Sequence, residues 1–284
     1  MMLPPVAETI ADTRTAVAAA RKAGKRIGFV PTMGALHSGH ASLIRASRTE
    51  CDFTVVSIFV NPTQFGPNED YTRYPRTFDA DRALCGAMGT DLIFAPTAAE
   101  MYPPESRTFV EVTKLPDMLC GQSRPGHFRG VTTVVLKLFH IVTPDIAYFG
   151  QKDAQQALII RRMAVDLNLP LSVRVQPTVR ETDGLAMSSR NRYLDPTQRM
   201  HAIALRRALN RVEELVGSGE RSIGVLESTM THIVATTPGA SLDYARVLDA
   251  ETLDTLTTLD RPALAALAVY FGTTRLIDNT ILRP

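Results

Sequence analysis

The sequence has little cysteine. Its three thiols, Cys51, Cys85 and Cys120, are odd in number and share no spacing typical of metal ligands. Thiols of this kind are usually reduced and packed as small apolar groups. We therefore expect buried, reduced cysteines, no metal site built from them, and a location in a reducing cytoplasm.

Long apolar runs and a large net charge are also missing. The longest apolar run, Val131–Val142, is interrupted by Lys137 and His140 and is too short to span a bilayer. The N-terminal residues lack the basic-then-apolar pattern of a secretion signal. The formal net charge is +2, and the arginines are scattered along the chain. We expect a soluble, cytoplasmic protein that binds neither membrane nor nucleic acid.

Several signatures of common enzyme classes do not occur either. The sequence contains no G-x-x-x-x-G-K-[ST], no G-x-G-x-x-G, no G-x-S-x-G and no H-E-x-x-H. Each of these motifs supplies a defined piece of chemistry. Transfer of a γ-phosphoryl group, hydride transfer, serine hydrolysis and zinc proteolysis therefore lose support.

The sequence does have a regular alternation of short apolar runs and helix-forming stretches over its first two thirds. Of its 284 residues, 45% are hydrophobic and 21% are charged, which allows a sizeable core. The predicted strands are Arg26–Val30, Phe53–Val60, Asp91–Phe94, Ile146–Phe149 and Leu171–Val175; the predicted helices are Val6–Ala23, Ala41–Glu50, Arg76–Met88, Val131–Val142 and Ala154–Leu167. Continuously apolar strands indicate cover on both faces. We predict an α/β fold with a Rossmann-like parallel sheet.

Beyond Val179 the pattern changes. Two helices, Pro196–Val216 and Ser222–Ala235, are predicted before two short strands, Leu242–Val247 and Leu264–Phe271. This pattern is typical of a small α+β domain. We predict a Rossmann-like domain over residues 1–178 and a smaller C-terminal domain over residues 179–284.

The most informative stretch is Val30–His40, which reads V-P-T-M-G-A-L-H-S-G-H. It places His37 and His40 where a predicted strand ends and a predicted helix begins. A helix N-terminus offers unpaired backbone N–H groups and the positive end of the helix dipole, and imidazoles add side-chain donors. The pattern favours a phosphate site, and a pair of loop histidines without a ligand is the alternative.

Lys152 and Asp153 follow another predicted strand directly. A lysine at a helix N-terminus is locally unfavourable because the dipole is already positive there, and a bound polyphosphate removes the conflict. The alternatives are a solvated lysine and an aspartate that only caps the helix. Gln156 lies on the same helix face as Lys152, and its neutral amide suits a hydroxy-carboxylate.

Two further polar segments carry candidate ligand contacts. Asn61 and Gln64 follow the second predicted strand, where ordinary turn chemistry is the alternative for Asn61. Ser188, Ser189 and Arg190 offer two hydroxyls and a fixed cationic fork, which suits a triphosphate. A polar loop between domains is the alternative for this second segment.

The H-x-G-H turn and the serine-arginine loop resemble the nucleotidyltransferase superfamily, whose enzymes form adenylates by attack on the α-phosphate of ATP. Further blocks occur between and after them, namely Phe59–Phe65, Arg73–Arg76, Ser123–Gly130, Phe149–Asp153 and Arg275–Asn279. Taken in order, the blocks resemble the pantothenate synthetase family, the ligases that join pantoate to β-alanine.

This resemblance implies ATP-dependent condensation of (R)-pantoate with β-alanine through a pantoyl adenylate, with release of AMP and pyrophosphate. It also implies Mg2+ bound with ATP, and a homodimer. No acidic cluster stands out as a metal cage, so we expect phosphate oxygens to hold the magnesium.

The resemblance further implies which residues form the site. The catalytic set is His37, His40, Lys152, Ser188, Ser189 and Arg190. The ATP-binding set is Met33, Gly34, Ala35, Leu36, His37, Ser38, Gly39, His40, Gly150, Gln151, Lys152, Asp153, Val179, Met187, Ser188, Ser189 and Arg190. The pantoate set is Met33, Asn61, Gln64, Val134, Val135 and Gln156, and Gln64 also serves β-alanine. The family implies a proton donor at His40, where stabilisation of charge is the simpler physical description. Core packing explains Val134 and Val135 equally well.

Three questions stay open. The basic cluster Arg124, His127 and Arg129 has either β-alanine's carboxylate or pyrophosphate as its ligand. A nucleotidyltransferase that moves AMP or CMP to a phosphorylated acceptor is one rival function, against which the neutral Gln64 and Gln156 speak. A nucleotide-binding regulatory module without catalysis is the other, against which the intact basic groups speak.

Overall fold

The computed structural model describes residues 3–67 and 69–284. Its first sheet consists of β1 (Val6–Ala7), β2 (Ile27–Thr32), β3 (Phe53–Ile58), β4 (Leu92–Phe94), β5 (Ile146–Gly150) and β6 (Ser172–Gln176). All neighbours pair in parallel, in the order β1-β4-β3-β2-β5-β6. The helices in this part of the chain are α1 (Ile10–Lys22), α2 (Ser38–Glu50), α3 (Phe78–Ala87), α4 (Ala98–Met101), α5 (Cys120–Ser123), α6 (His127–Val142) and α7 (Ala154–Asp166).

Helices cover both faces of this sheet, which explains its continuously apolar strands. The Phe29 ring lies 6.4 Å from that of Phe139 in α6. At the preceding position the backbone meets α2 so closely that a Cβ on Gly28 would lie 2.1 Å from Ser47 Oγ. Because successive residues of a strand point to opposite faces, α6 and α2 lie on opposite sides of the sheet.

The order of the strands reverses beside β2. From β2 the chain continues to β3 and β4 on one side, whereas β5 pairs with the other edge of β2 and leads on to β6. In open parallel sheets a ligand binds outside the carboxyl ends of the strands at such a switch point. The carboxyl ends of β2 and β5 are where Thr32 and Gly150 lie, directly before two of the predicted site segments.

One predicted boundary at the start of the chain is wrong. Val6 and Ala7 were predicted to begin the first helix but form an edge strand that pairs with Ile93 and Phe94 of β4. The helix begins later because Thr9 caps it, accepting a hydrogen bond from the Asp12 N–H at 3.1 Å. Partners distant in sequence decide the conformation of such a short segment, and local pattern does not.

A second sheet is antiparallel, in the order β7 (Ala240–Asp249), β8 (Ala263–Phe271) and β9 (Thr274–Leu282). The helices that precede it are α8 (Pro196–His201), α9 (Ala204–Gly217) and α10 (Ile223–Ala235). An apolar stripe on α9, including Leu205, Leu209 and Val212, is completely buried in the core that it forms with the sheet. The predicted fold class, a parallel Rossmann-like sheet with a smaller α+β part, is confirmed.

The structure corrects two details of this part. The helix predicted over Pro196–Val216 is interrupted at Ala202 and Ile203, where the Leu205 N–H bonds to the Ala202 carbonyl at 3.2 Å, three residues back instead of four. Neither proline nor glycine marks the break, so the sequence carries no signal for it. Strand β9 was not predicted, although its first residues form one of the motif blocks.

The chain forms two compact units. The first comprises the described residues through Thr113 together with Arg124–Gln151 and Gln156–Pro177; the second comprises Lys114–Ser123, Lys152–Gln155 and Thr178–Pro284. Two short internal segments thus group with the later residues, and the predicted boundary between residues 178 and 179 stays a prediction. In the part of the chain that the structure describes, no helix has the length and apolar character needed to cross a membrane.

Candidate active site

The two histidines of the H-x-G-H turn cap helix α2 reciprocally. His37 Nδ1 accepts a hydrogen bond from the Gly39 N–H at 3.1 Å, and the His37 N–H donates to His40 Nδ1 at 3.3 Å. The ring centroids are 4.2 Å apart. Because both Nδ1 atoms accept, the proton of each neutral ring is assigned to Nε2, so each ring presents an N–H donor on its far side.

A buried carboxylate supports the turn before these histidines. Asp81, only 2% exposed, accepts from the Ala35 N–H at 3.0 Å and from the Leu36 N–H at 2.8 Å. Gly34 and Ala35 both have positive φ, of 84° and 49°. Such a backbone persists in a non-glycine residue only where the surroundings hold it. Asp81 was not predicted as a site residue, since nothing in the local sequence pattern links α3 to this turn.

Asn61 caps a single turn of 3-10 helix, Pro62–Gln64, that follows β3, and Gln64 is the last residue of this turn. Both side chains are buried, and Asn61 Nδ2 donates to Gln64 Oε1 at 3.0 Å. Gln64 Nε2 in turn lies 3.2 Å from Met33 Sδ at the end of β2. Gln64 therefore contacts two of the other residues predicted to bind pantoate, Asn61 and Met33.

Tyr102 also belongs to this network and was not predicted. Its hydroxyl donates to Asn61 Oδ1 at 2.9 Å. Burial raises the pKa of the Tyr102 hydroxyl, and the hydrogen bond to Thr63 lowers it only in part. The phenol therefore stays protonated and remains a donor throughout the physiological pH range.

Helix α6 packs against the 62–64 turn through a glycine. A Cβ at Gly130 would lie 2.3 Å from the Thr63 carbonyl oxygen and 2.7 Å from Gln64 Cα, so no side chain fits there without a backbone shift. Val134, one helical turn later on α6, is buried on the same face. Val135 is buried as well. Burial is expected both of a residue that lines a pantoate pocket and of a residue that only packs in the core, so both interpretations of the two valines stay open.

Replacing Gly130 with alanine is expected to lower the free energy of unfolding by about 1–3 kcal/mol, because overpacking forces the 62–64 turn away from α6. Urea unfolding followed by circular dichroism measures this. Gly224→Ala is the matched control, since a Cβ there meets nothing nearer than 4.0 Å. Equal effects of the two substitutions would contradict the close packing at Gly130.

Arg124 and His127 of the basic cluster contact the backbone of the 62–64 turn. Arg124 pairs with Glu69, and its Nη1 lies 3.0 Å from His127 Nε2. His127 Nδ1 is 2.8 Å from the Gln64 carbonyl oxygen. Burial acts to raise the pKa of Glu69, but the hydrogen bonds and charge of Arg124 outweigh it and lower that pKa. Arg124 and His127 thus contact the protein itself, and the Arg129 guanidinium stacks 4.0 Å from the centre of the Phe109 ring.

Beyond β5 the chain makes another short turn, Gln151–Asp153, before α7 begins at Ala154. Lys152 was predicted to open the helix and lies instead in this 3-10 turn. Its ammonium is 3.5 Å from the Asp153 carboxylate, with side-chain exposures of 20% and 49%. The Lys152 carbonyl accepts a hydrogen bond from Asn279 Nδ2 of β9 at 2.9 Å. Asn279 is the last residue of the motif block Arg275–Asn279, and this hydrogen bond gives that block a role that was not predicted: it holds the backbone of the lysine turn.

Gln156 lies in the first turn of α7 and is half-buried. Its neighbour Gln155 is 5% exposed and holds the 115–120 segment, accepting from the Cys120 N–H at 3.0 Å and donating to the Leu115 carbonyl at 2.9 Å. The two adjacent amides therefore differ in role: Gln155 is committed to the protein, whereas the assignment of Gln156 to a ligand stays a prediction.

The serine-arginine segment lies at the end of a small hairpin. The Met187 N–H donates to the Val179 carbonyl at 3.0 Å, and Arg180 pairs with Ala186. Ser188 then caps a 3-10 helix, Ser189–Tyr193, by accepting from the Arg190 N–H at 3.3 Å. Arg180 forms a two-bond ion pair with Asp278, which is 1% exposed, at 2.7 and 3.0 Å. The predicted loop is thus a structured element of the second unit.

These contacts divide the predicted site residues into two groups. The first unit contains the H-x-G-H turn with Asn61, Gln64, Val134, Val135, Gly150, Gln151 and Gln156; the second unit contains Lys152, Asp153, Val179, Met187, Ser188, Ser189 and Arg190. Among residues 3–67 and 69–284, no three side chains of histidine, cysteine, aspartate or glutamate converge as a metal site would require.

Comparison with known proteins gives a consistent result. A family model described as Pantoate-beta-alanine ligase matches residues 5–281. The chain is 55% identical over 275 residues to the Pantothenate synthetase of Moorella thermoacetica, covering 97% of each chain. It is 54% identical over 277 residues to that of Geobacter sulfurreducens, covering 98% of each.

Solved structures agree with this result. The Pantothenate synthetase of Thermus thermophilus superposes with a TM-score of 0.94 at 45% identity, covering 99% of this chain and 100% of that one. A Pantoate-beta-alanine ligase of Francisella tularensis, complexed with beta-gamma ATP and β-alanine, gives a TM-score of 0.81 at 35% identity, covering 98% and 97%. The resemblance read from the motif blocks is confirmed. The chain belongs to the pantoate-β-alanine ligase family.

Proposed function

We propose that this ATP-dependent ligase joins pantoate to β-alanine in two steps. The pantoate carboxylate attacks the α-phosphorus of Mg-ATP, which gives pantoyl adenylate and pyrophosphate. The β-alanine amine then attacks the acyl carbon and releases AMP, leaving pantothenate. The observation that carries this route is the reciprocal histidine cap on α2, just beyond β2 at the switch point of the sheet.

The histidine cap supports chemistry at a phosphate. Attack by a carboxylate adds negative charge to the phosphorus oxygens, and donors that already point at such charge usually supply the largest catalytic contribution. With both Nδ1 atoms accepting from backbone N–H groups, His37 and His40 offer their Nε2 protons. Their role is to stabilise charge on the phosphorus oxygens and on the departing pyrophosphate. A neutral Nε2–H donor at His40 performs this role without leaving its place in the cap.

In this proposal the cationic and hydroxyl groups for the triphosphate come from Lys152, Arg190, Ser188 and Ser189. A carboxylate and a phosphate oxygen about 4 Å apart repel by roughly 4 kcal/mol at the effective dielectric near a protein surface. Lys152 and Arg190 offset this repulsion, while Ser188 and Ser189 donate to phosphate oxygens. The Asn279 side-chain amide donates to the backbone carbonyl of Lys152 and so holds that backbone in place.

Magnesium enters this scheme as part of the substrate, Mg-ATP. Asp153 is the only carboxylate among the proposed ATP-binding residues and is paired with Lys152, and the other groups are imidazoles, hydroxyls, amides and cations, so they form no cage of carboxylates for a hard cation. We propose that phosphate oxygens hold the ion, where its charge lowers the repulsion between triphosphate and carboxylate.

Pantoate occupies the pocket at the 62–64 turn in this proposal. Gln64 and Gln156 offer amides to its carboxylate and hydroxyl groups, and Asn61 holds Gln64. Met33, Val134 and Val135 form the apolar wall for its dimethyl end. β-Alanine binds next to the same Gln64 in the second step, once the adenylate has formed.

The surroundings of the enzyme belong to the same proposal. We propose a cytoplasmic homodimer that acts on small molecules and binds neither nucleic acid nor membrane. Three buried cysteines without a disulfide suit a reducing compartment. Size-exclusion chromatography with light scattering measures the mass in solution and tests the dimer.

Exchange of labelled pyrophosphate into ATP tests the route. With pantoate present and β-alanine absent, the first step is complete in itself and reversible, so we expect exchange that depends on pantoate. A ligase that used an acyl phosphate would release ADP and phosphate instead, and a regulatory module would give no exchange. Either of these results, from folded protein that binds Mg-ATP, would refute the adenylate route.

A further inference from the structure

The amide of Gln64 has two different ends, and which end faces the ligand decides what the pocket recognises. Its oxygen accepts hydrogen bonds, whereas its NH2 group donates them. The two ends are nearly identical in shape, so the orientation has to come from the hydrogen-bond network. Here the network around the 62–64 turn determines it.

The orientation of Asn61 is fixed by two backbone groups whose roles cannot be exchanged. The Thr63 N–H can only donate and lies 3.3 Å from Asn61 Oδ1. The Gly130 carbonyl can only accept and lies 3.2 Å from Asn61 Nδ2. A flipped Asn61 amide would set donor against donor at one end and acceptor against acceptor at the other.

The orientation of Gln64 follows from that of Asn61. Because Asn61 presents its Nδ2 group, the Gln64 atom 3.0 Å away must be the oxygen Oε1. The Nε2 group of Gln64 then faces the other way, 3.2 Å from Met33 Sδ. A thioether is a weak acceptor, so an oxygen of a bound ligand competes with it easily.

Tyr102 strengthens this arrangement from the opposite side. Its hydroxyl donates to Asn61 Oδ1 at 2.9 Å, and the Thr63 hydroxyl donates to the same atom, also at 2.9 Å. The backbone N–H of Thr63 requires an oxygen at this position, and the two hydroxyls, which can donate or accept, both donate to that oxygen. The phenol contacts only protein groups in this network and acts on the ligand through Asn61 and Gln64.

We propose that Asn61 and Tyr102 are positioning residues that set the polarity of Gln64, so that its NH2 group, and not its oxygen, donates to an oxygen of pantoate. The inference rests on the proposed pantoate site. It assigns to Tyr102 a role in substrate recognition and to Asn61 a role in orienting an amide, beyond shaping the turn.

The variant Asn61→Asp tests the polarity. An ionised carboxylate cannot donate to Gln64 Oε1 or to the Gly130 carbonyl, so the Gln64 amide turns and presents its oxygen to pantoate. We expect KM for pantoate to rise about tenfold or more at neutral pH, with KM for ATP unchanged. As the pH falls, the new carboxyl group becomes protonated and regains a donor, so the KM for pantoate returns toward the wild-type value.

One further variant and a control separate this effect from general damage to the turn. Tyr102→Phe removes one donor and adds no charge, and we expect KM for pantoate to rise about threefold to tenfold with kcat unchanged. Asn210→Asp adds the same charge on an exposed face of α9 and should change neither constant. Circular dichroism confirms folding in each case.

The outcomes distinguish this inference from the proposed function. A KM for pantoate in Asn61→Asp that does not recover at low pH, or a Tyr102→Phe enzyme identical to wild type, would overturn the polarity argument. Absence of pantoate-dependent pyrophosphate exchange in the wild-type protein would instead refute the proposed function. Recovery at low pH in Asn61→Asp, with a raised KM in Tyr102→Phe, supports the inference.

Discussion

Replacing His40 with alanine is expected to lower kcat about 10²–10³-fold, because the variant lacks one donor to the charge that develops on the phosphorus oxygens. Lys152→Ala is expected to lower kcat by a similar factor, since it removes a cation from the triphosphate. Steady-state release of AMP measures both. If a folded variant kept more than about a third of wild-type turnover, the role assigned to that residue would be wrong.

A structural role of His40 needs to be separated from its chemical role. Since His40 Nδ1 accepts the His37 N–H in the helix cap, His40→Ala also removes a capping contact. Glutamate at this third helical position can make the same reciprocal contact but has no N–H to donate to a phosphate. We therefore expect His40→Glu to recover the stability lost by His40→Ala without recovering turnover. His140→Ala, an exposed position on α6, is the control for loss of an imidazole.

Replacing Asp81 with alanine is expected to destabilise the protein by about 3 kcal/mol, because two buried N–H groups, those of Ala35 and Leu36, lose their acceptor. The positive φ of Ala35 then loses its support, and the H-x-G-H turn moves. We therefore expect the loss in kcat/KM of the folded fraction to exceed tenfold. Urea unfolding and steady-state kinetics measure the two effects.

Asp79 provides the matched control for this experiment. It occupies the same first turn of α3 and carries the same charge, but it is exposed. Asp79→Ala should change stability by no more than about 0.5 kcal/mol. Asp81→Asn keeps one acceptor oxygen and should fall between wild type and Asp81→Ala. Equal stability of Asp81→Ala and Asp79→Ala would show that the turn does not depend on the buried carboxylate.

The pattern of apolar residues, and the turn-forming residues between the apolar runs, were sufficient to predict most of the fold. Buried parallel strands such as β3 read as continuous apolar runs because both faces are covered, and the adjoining helices alternate with them. The predictions of secondary structure that failed concern features with no signal in the local sequence. Val6 and Ala7 pair with β4, which lies far along the chain, and neither proline nor glycine marks the break at Ala202, so neither feature has a local signal.

The candidate site was predictable to the extent that its residues lie in compact motif blocks. His37, His40, Lys152 and the serine-arginine segment stand at element boundaries that the pattern shows. Asp81 and Tyr102 were missed, and Gly130 was named in a motif block without a role, because each acts through a contact with a distant segment, and one sequence contains no information on such pairings. The roles assigned to the site residues stay predictions until variants are measured.

The hydrogen bond between Asn279 and the Lys152 carbonyl has a consequence for biosynthesis. The two residues are 127 positions apart, and chains emerge from the ribosome at roughly 5–20 residues per second, so the donor follows the acceptor by about 6–25 s. Once Gln176 has been added, a nascent chain contains every described strand of the parallel sheet but still lacks the amide that holds the lysine turn. We therefore expect the proposed triphosphate site to be completed late in translation, after the residues of the proposed pantoate pocket have all been made.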